Sequence, residues 1–312
     1  MSATIDTREK TPYELGCELA KPAFSLSLTS TDIKRVNSLE KFCASDTTRP
    51  ILTRPCLHGR YAVATDTHRM AIVRTESEQP LPPDTSYLMV DFDGTHSTGY
   101  WTGKEVRRAG LVVSDTRVFT TWGVLNFPNW QRVVPESEDR FEFTINCKDL
   151  SEALTSIKHI SKEAAHRVTL TFSGDMLVVS AFALILERKV SDDGEIKHEN
   201  TEVSDYKPIL VRDAVNIAVD GSGMPAVAFN GKYLLDAMTW FSKIFKADSV
   251  RFSLDSTRGH SCKAITIYPD GRAGGIASPD FLAAMVVMPM ALEDQHRRGA
   301  IEFIEALRGG AA

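Results

Sequence analysis

The feature that most constrains this chain is a repeat. Residues 24–33 read FSLSLTSTDI and residues 141–150 read FEFTINCKDL. Both fit the pattern F-x-[L/F]-x-[L/I]-x-x-x-D-[I/L], and their spacing, 141 − 24 = 117 residues, is the size of a domain. In each copy the alternating apolar residues predict a strand with one buried face. Asp32 and Asp149 then stand where a helix begins, ahead of helix-like runs. A strand leading into a helix is common, so it is the spacing that carries the weight. It divides the 312 residues near position 135, into segments 23–135 and 136–292 flanked by extensions at 1–22 and 293–312.

The stretches after each copy agree with that division. Strand patterns occupy Tyr61–Ala64 and Ala71–Arg74 in the first segment, and Val168–Phe172 and Met176–Ala181 in the second. Ser173-Gly174-Asp175 reads as a hairpin turn between the last two. A second helix is predicted over about 231–246, with Leu234, Met238, Phe241 and Phe245 on one face. Strands return at Val250–Leu254, Ala264–Tyr268 and Ala283–Met288. The first segment has no clear second helix, because Asp91–Lys104 is rich in Gly, Thr and Asp. Lys189–Lys207 is charged and reads as a loop or hairpin tip, and Ile301, Ile304 and Leu307 suit a short terminal helix. The fold class is therefore α+β, with much antiparallel strand and few helices.

Composition removes several classes. No run approaches the roughly 18 apolar residues of a membrane span, and the polar start MSATIDTREKTPYELG lacks a secretory core. Five scattered cysteines without a C-x-x-C pair suit reduced thiols in a cytoplasm rather than a disulfide framework or a zinc site. No cofactor or metal is implied. The net charge of −5 does not announce a nucleic-acid binder. Yet at 100° per residue the lysines separate from the apolar stripes. Lys148, Ser151, Thr155, Lys158 and Lys162 oppose Leu150, Leu154, Ile157 and Ser161, with Glu152 at the border. Lys232, Thr239, Lys243 and Lys246 oppose the second helix's stripe, with Asp236 nearby. Lys34, Ser38 and Lys41 lie away from Ile33, Val36 and Cys43. Such faces suit sequence-independent, salt-sensitive phosphate contacts; an ordinary solvated helix face looks the same.

Three segments resemble the bacterial DNA polymerase III beta sliding clamp family. FNGKYLLDAM at 229–238 with AAMVVMPMAL at 283–292 is similar to its last domain. TRPILTRPCLHGRYAVATDTHRMAIV at 48–73 resembles its middle domain, with a Thr-Asp-Gly-His-Arg-Leu motif, and NFPNWQRVVP at 126–135 resembles the linker between the two. The three occur in the family's order and cover roughly residues 24–292, while its first domain has no counterpart here. The resemblance implies repeated clamp domains, with antiparallel sheets outside and helices lining the inner face of a ring around duplex DNA. Six domains close such a ring, so a two-domain chain implies a homotrimer joined head to tail. DNA-facing positions would be Lys34, Lys41, Lys148, Lys158, Lys162, Lys232, Lys243 and Lys246.

The resemblance also implies a cleft that takes short linear peptides from a polymerase and a clamp loader. Carried over, it comprises Leu52, Thr65, Thr67, His68, Arg69, Met70, Pro128, Arg132, Val133, Val286, Met288, Pro289 and Met290, with Asn230 and Tyr233 on the rim. Methionines and prolines make adaptable apolar walls, and His68 and Arg69 can fix a polar peptide group. Thr67 replaces the family's glycine, Ala291 an arginine, and Trp130-Gln131 a Tyr-Arg pair; a side chain at Thr67 narrows the cleft. The implied protein is a non-catalytic, cytoplasmic processivity factor. Asp66 in Thr65-Asp66-Thr67-His68 is a turn residue rather than part of a catalytic site, because no convergent second motif accompanies it. Two other readings keep the fold: an adaptor or decoy that binds replication proteins without encircling DNA, and a subunit of a mixed ring.

Overall fold

A computed structural model of the chain describes residues 22–27, 29–46, 48–49, 52–53, 55–58, 60–76, 86–89, 98–101, 106–109, 116–120, 127–134, 140–173, 176–190, 196–215, 226–255, 264–269, 281–292 and 294–309. The chain forms two compact units, Met1–Trp130 and Gln131–Ala312.

In the first unit, β1 (Pro22–Ser27) leads into α1 (Ser30–Ser38), which tightens into a 3-10 turn at Leu39–Phe42. Thr29 caps α1 by accepting the Asp32 N–H at 3.1 Å. Asp32 is fully buried, and its carboxylate accepts the Glu76 backbone N–H, which ties the helix to the end of a strand. There follow β2 (Cys56–His58), β3 (Tyr61–Thr65), β4 (Arg69–Arg74), β5 (Ser86–Met89), β6 (Thr98–Trp101), β7 (Val106–Ala109) and β8 (Thr116–Thr120). All pairings are antiparallel, in the order β1-β8-β5-β2-β3-β4, with β6 and β7 as a separate pair. Among the described residues, 86–120 contributes strands and no helix. Val36, Leu39 and Phe42 bury themselves with the apolar residues of β3 and β4. Trp130 closes this core, with its ring edge-on to Tyr61 at 5.3 Å and His58 at 6.2 Å.

The second unit begins with β9 (Arg140–Asn146), α2 (Cys147–Ser156), α3 (Lys158–Glu163), β10 (Arg167–Ser173), β11 (Met176–Val190), β12 (Ile196–Leu210) and β13 (Arg212–Val215). It continues with β14 (Ala226–Asn230), α4 (Gly231–Trp240), β15 (Ser249–Asp255), β16 (Ile265–Pro269), β17 (Ala283–Val287) and α5 (Asp294–Gly309). Two antiparallel sheets result, β17-β16-β15-β9-β13 and β12-β11-β10-β14. Phenylalanines join them: Phe143 stacks on Phe252 at 5.0 Å within one sheet, and Phe172 of the other lies 4.7 Å from Phe141 and 4.9 Å from Phe143.

This unit is itself built from two half-repeats. β9 into α2 and β14 into α4 each place an asparagine at the helix start, 230 − 146 = 84 residues apart. Asn146 accepts the N–H groups of Lys148 and Asp149, and Asn230 those of Lys232 and Tyr233. Each side chain thereby satisfies donors that the first helical turn leaves orphaned.

Two sequence expectations change and a third narrows. The helix expected through 148–162 is two helices that break at Ile157, because the hydroxyls of Ser151, Thr155 and Ser156 donate back to carbonyls three or four residues earlier and bend the axis. The helix expected over 231–246 is α-helical only to Trp240. Residues Phe241–Phe245 form a wider π-turn that brings Trp240, Phe241 and Phe245 together at 4.9–6.0 Å, and Lys246, at φ 57, ends it. For the charged stretch 189–207 the hairpin reading holds: β11 and β12 run fifteen residues each and pair in register from Met176↔Leu210 to Val190↔Ile196, with 191–195 outside the described residues. An antiparallel ladder satisfies its own backbone, so alternate side chains are free to be charged on the wet face.

The terminal segment folds onto the second unit. Ala300 and Ile304 of α5 are fully buried, Leu307 is exposed, and the helix packs on β10 and β11. Phe303 stacks on Tyr206 of β12 at 4.9 Å and 14°. No helix among the described residues is long and apolar enough to cross a membrane.

Candidate DNA-facing helices and partner-binding surfaces

The helix layer of the second unit is built by α2 packing on α4. Leu150, Leu154, Ile157 and Ser161 are buried, as are Leu234, Ala237, Met238 and Phe241. Lys148, Lys158, Lys162, Lys232, Lys243 and Lys246 are all exposed on the other side, and Thr239 is half-buried. The face is mixed rather than purely basic. Asp149, Glu152, Glu163 and Asp236 share these helices, and the Lys148 ammonium lies 3.8 Å from Glu152 with both side chains exposed. Such a pair is worth little in water, so Lys148 remains available to a phosphate. In the first unit Lys34 and Lys41 are exposed, while Arg35 is committed to Glu76 at 2.8 Å.

The residues carried over as a peptide cleft fall in both units. In the first, Thr65, Thr67, His68, Arg69 and Met70 form the β3–β4 turn and its flanks. Asp66 closes it: one carboxylate oxygen accepts the N–H groups of His68 and Arg69 at 3.0 Å, and the other accepts Arg69 Nε at 2.9 Å. Thr65 donates its hydroxyl to the Arg69 carbonyl and accepts the Thr67 N–H. Arg69 also donates to the Lys41 carbonyl at 3.3 Å and lies over the Phe42 ring. Its guanidinium braces the turn and is buried, so of the two groups expected to fix a peptide, only His68 is exposed. Leu52 and Met70 are buried, whereas Pro128 is exposed. In the nearby loop, Asp46 is held below its ordinary carboxylate range, first by the Thr48 hydroxyl and then by the Thr48 N–H.

Thr67 has φ 79, in the left-handed region that glycine occupies without cost and threonine does not. Thr67→Gly is therefore expected to stabilise the protein by about 0.5–1 kcal/mol, after allowing for the greater freedom of glycine in the unfolded chain. Thr67→Ala, which keeps a Cβ, should give no such gain. Urea denaturation of the three proteins checks this.

In the second unit, Arg132 and Val133 are exposed on the 3-10 turn Trp130–Val133. Val286 is buried within β17, Met288 just beyond it is 40% exposed, and Pro289 and Met290 are half-buried. Met290 donates its N–H to the Ala228 carbonyl of β14 at 2.7 Å. Asn230 is committed to capping α4, and Tyr233 is half-buried in its first turn. The half-repeat that Asn230 shares with Asn146 was missed in the sequence, although Asn-x-Lys-x-Leu recurs at 146–150 and 230–234.

No protein-family model matches the sequence. Over 187 residues the chain is 25% identical to the beta sliding clamp of Treponema pallidum (strain Nichols), an alignment covering 55% of this chain and 49% of that protein. The chain thus spans about half the length of that curated relative. Among solved structures, the DNA polymerase III subunit beta sliding clamp of Pseudomonas aeruginosa bound to griselimycin aligns with a TM-score of 0.54 at 18% identity, over 93% of this chain and 68% of that one. The Bartonella birtlesii clamp, also bound to griselimycin, gives 0.55 at 18% over 92% and 70%. The DNA polymerase III beta subunit of Thermotoga maritima gives 0.55 at 18% over 93% and 69%. The chain has the fold of the bacterial DNA polymerase III beta sliding clamps and, along about half the length of the Treponema pallidum clamp, a sequence similar to that protein's.

Proposed function

We propose that the chain is a DNA sliding clamp, a processivity factor that encircles duplex DNA and holds a replicative polymerase on it. The observation that carries this reading is a pair of compact units within one chain that aligns with clamps over nearly all of its length. With two domains per chain, a six-domain ring takes three copies joined head to tail. Support for self-association comes from β12, whose fifteen residues pair only with β11 among the described residues and so leave a long sheet edge open. Leu184 and Leu186 of β11 are 55% and 64% exposed beside it. An open edge flanked by apolar side chains invites a partner strand.

Within the ring, the lysines of the helix layer face phosphates without reading sequence. A polymerase and a clamp loader dock short peptide segments on the surfaces around His68 and Met288, with Pro128, Arg132 and Val133 contributing. Asp66, the carboxylate of the turn that carries His68, is spent on that turn, which supports a binding role rather than a catalytic one. We infer a cytoplasmic location, alongside the DNA.

Sedimentation equilibrium tests the ring directly. The expected mass is three times the 34.5 kDa of one chain. A monomer throughout the micromolar range would instead support an adaptor that binds replication proteins without encircling DNA.

A further inference from the structure

The segment that follows β17 is held in an unusual way. Residues 288–292 have left the β15–β16–β17 sheet and cross to the other sheet of the same unit, touching it at one isolated antiparallel bridge, Ala228↔Met290. That bridge contributes a single hydrogen bond, Met290 N–H to the Ala228 carbonyl at 2.7 Å. One hydrogen bond is a weak tether for five residues, because each ordered residue loses backbone freedom. Yet this strap holds Met288 out toward solvent with Pro289 and Met290 half-buried beside it. A second restraint is needed, and α5 begins directly after the strap.

We propose that α5 is a clasp: it positions the Met288–Met290 strap for peptide binding by pinning its far end to the β12-β11-β10-β14 sheet. The clasp rests on a small contact area. Ala300 and Ile304 are fully buried, Phe303 stacks on Tyr206, and Gly299 lies against the Tyr206 hydroxyl. A Cβ at position 299 would collide with that hydroxyl, while the next atom it would meet, the ring Cζ, is at an ordinary 3.5 Å. The stack on Phe303 keeps the tyrosine from simply turning aside. Gly299→Ala therefore strains the Tyr206–Phe303 stack that holds α5 on the sheet, and Tyr206→Phe, which removes only the hydroxyl, relieves the collision.

This inference rests on the peptide-binding reading above, and its test separates the two. Hydrogen–deuterium exchange on the full-length protein reads the clasp without any ligand. In Gly299→Ala, the Met290 amide is expected to exchange at least tenfold faster than in the wild type, and in Gly299→Ala/Tyr206→Phe it should return to the wild-type rate. Ile304→Ala, which removes a buried contact of the same helix, should accelerate Met290 exchange in the same direction. If Met290 exchange is unchanged in both single variants while amides of α5 exchange faster, the helix does not hold the strap and the proposal is overturned. Titration with labelled griselimycin, a ligand of the Pseudomonas aeruginosa clamp, then addresses affinity. The clasp predicts weaker binding to Gly299→Ala, by about tenfold, and recovery in the double variant. Failure of the wild type to bind would count against the peptide site, whereas the exchange result would still decide the clasp.

Discussion

Reversing two charges, with Lys148→Glu and Lys158→Glu combined, is expected to release the protein from circular duplex DNA while leaving its solution mass unchanged. Both lysines are exposed, so neither substitution disturbs packing. Each also puts a carboxylate into the first turn of a helix, α2 or α3, where the helix dipole favours negative charge. Loss of fold is therefore not the expected cause of any effect. Electrostatics is. Along α2, α3, α4 and the π-turn to its end at Lys246, six lysines stand against four carboxylates, and the double variant inverts that balance to four against six. Each lysine that faces a phosphate contributes about 1 to the slope of log affinity against log salt. In the proposed ring of three copies, two altered lysines per copy should flatten the slope by up to about 6. Retention on nicked circular DNA, measured by gel filtration at several salt concentrations, reads both quantities. Retention and slope equal to the wild type would mean that this helix layer faces something other than DNA.

The sequence was most legible where backbone chemistry and burial act locally. The 117-residue offset relates not only the strands but also the caps, Thr29 and Asn146, because a helix start needs a side-chain acceptor wherever it occurs. It did not carry chemical equivalence: Asp32 is fully buried against the Glu76 N–H, while Asp149 stands exposed. Charge at 189–207 left loop and hairpin both open, since an antiparallel hairpin tolerates on its wet face the same residues that a loop prefers. Helix ends were misjudged at Ile157 and Trp240 for a related reason. A wheel at 100° per residue cannot register hydroxyls that bend a helix or aromatic rings that widen its last turn.

Side-chain roles at the candidate site were legible by position and not by engagement. Arg69 reads as a ligand for peptide carbonyls until the tight turn delivers Asp66 to its guanidinium. The left-handed backbone at Thr67 explains why the resembled family uses glycine there, a constraint that no periodicity displays.

Replacing Met288 and Met290 together by alanine is expected to abolish stimulation of a polymerase while the protein still loads on DNA. The two positions differ in kind from Val286, three of whose neighbours in β17 are fully buried with it. Truncating Val286 opens a core cavity and costs stability at the outset. Met288 is 40% exposed and Met290 half-buried, so their side chains face a ligand as well as the fold. Methionine suits such a surface because its flexible thioether repacks around varied apolar side chains. If the pair forms the apolar centre of a peptide site, its truncation removes about 2 kcal/mol or more, a loss of roughly 30-fold in affinity. The Met290 N–H bond to Ala228 involves only backbone and α5 is untouched, so both restraints on the strap survive in the variant. Processive synthesis on primed circular DNA at limiting polymerase should then fall to the level seen without the protein. The amount of variant recovered on the circles should match the wild type. Stimulation that persists in this variant would place the polymerase contact on another surface, and the exposed Leu184 and Leu186 would be the next residues to alter.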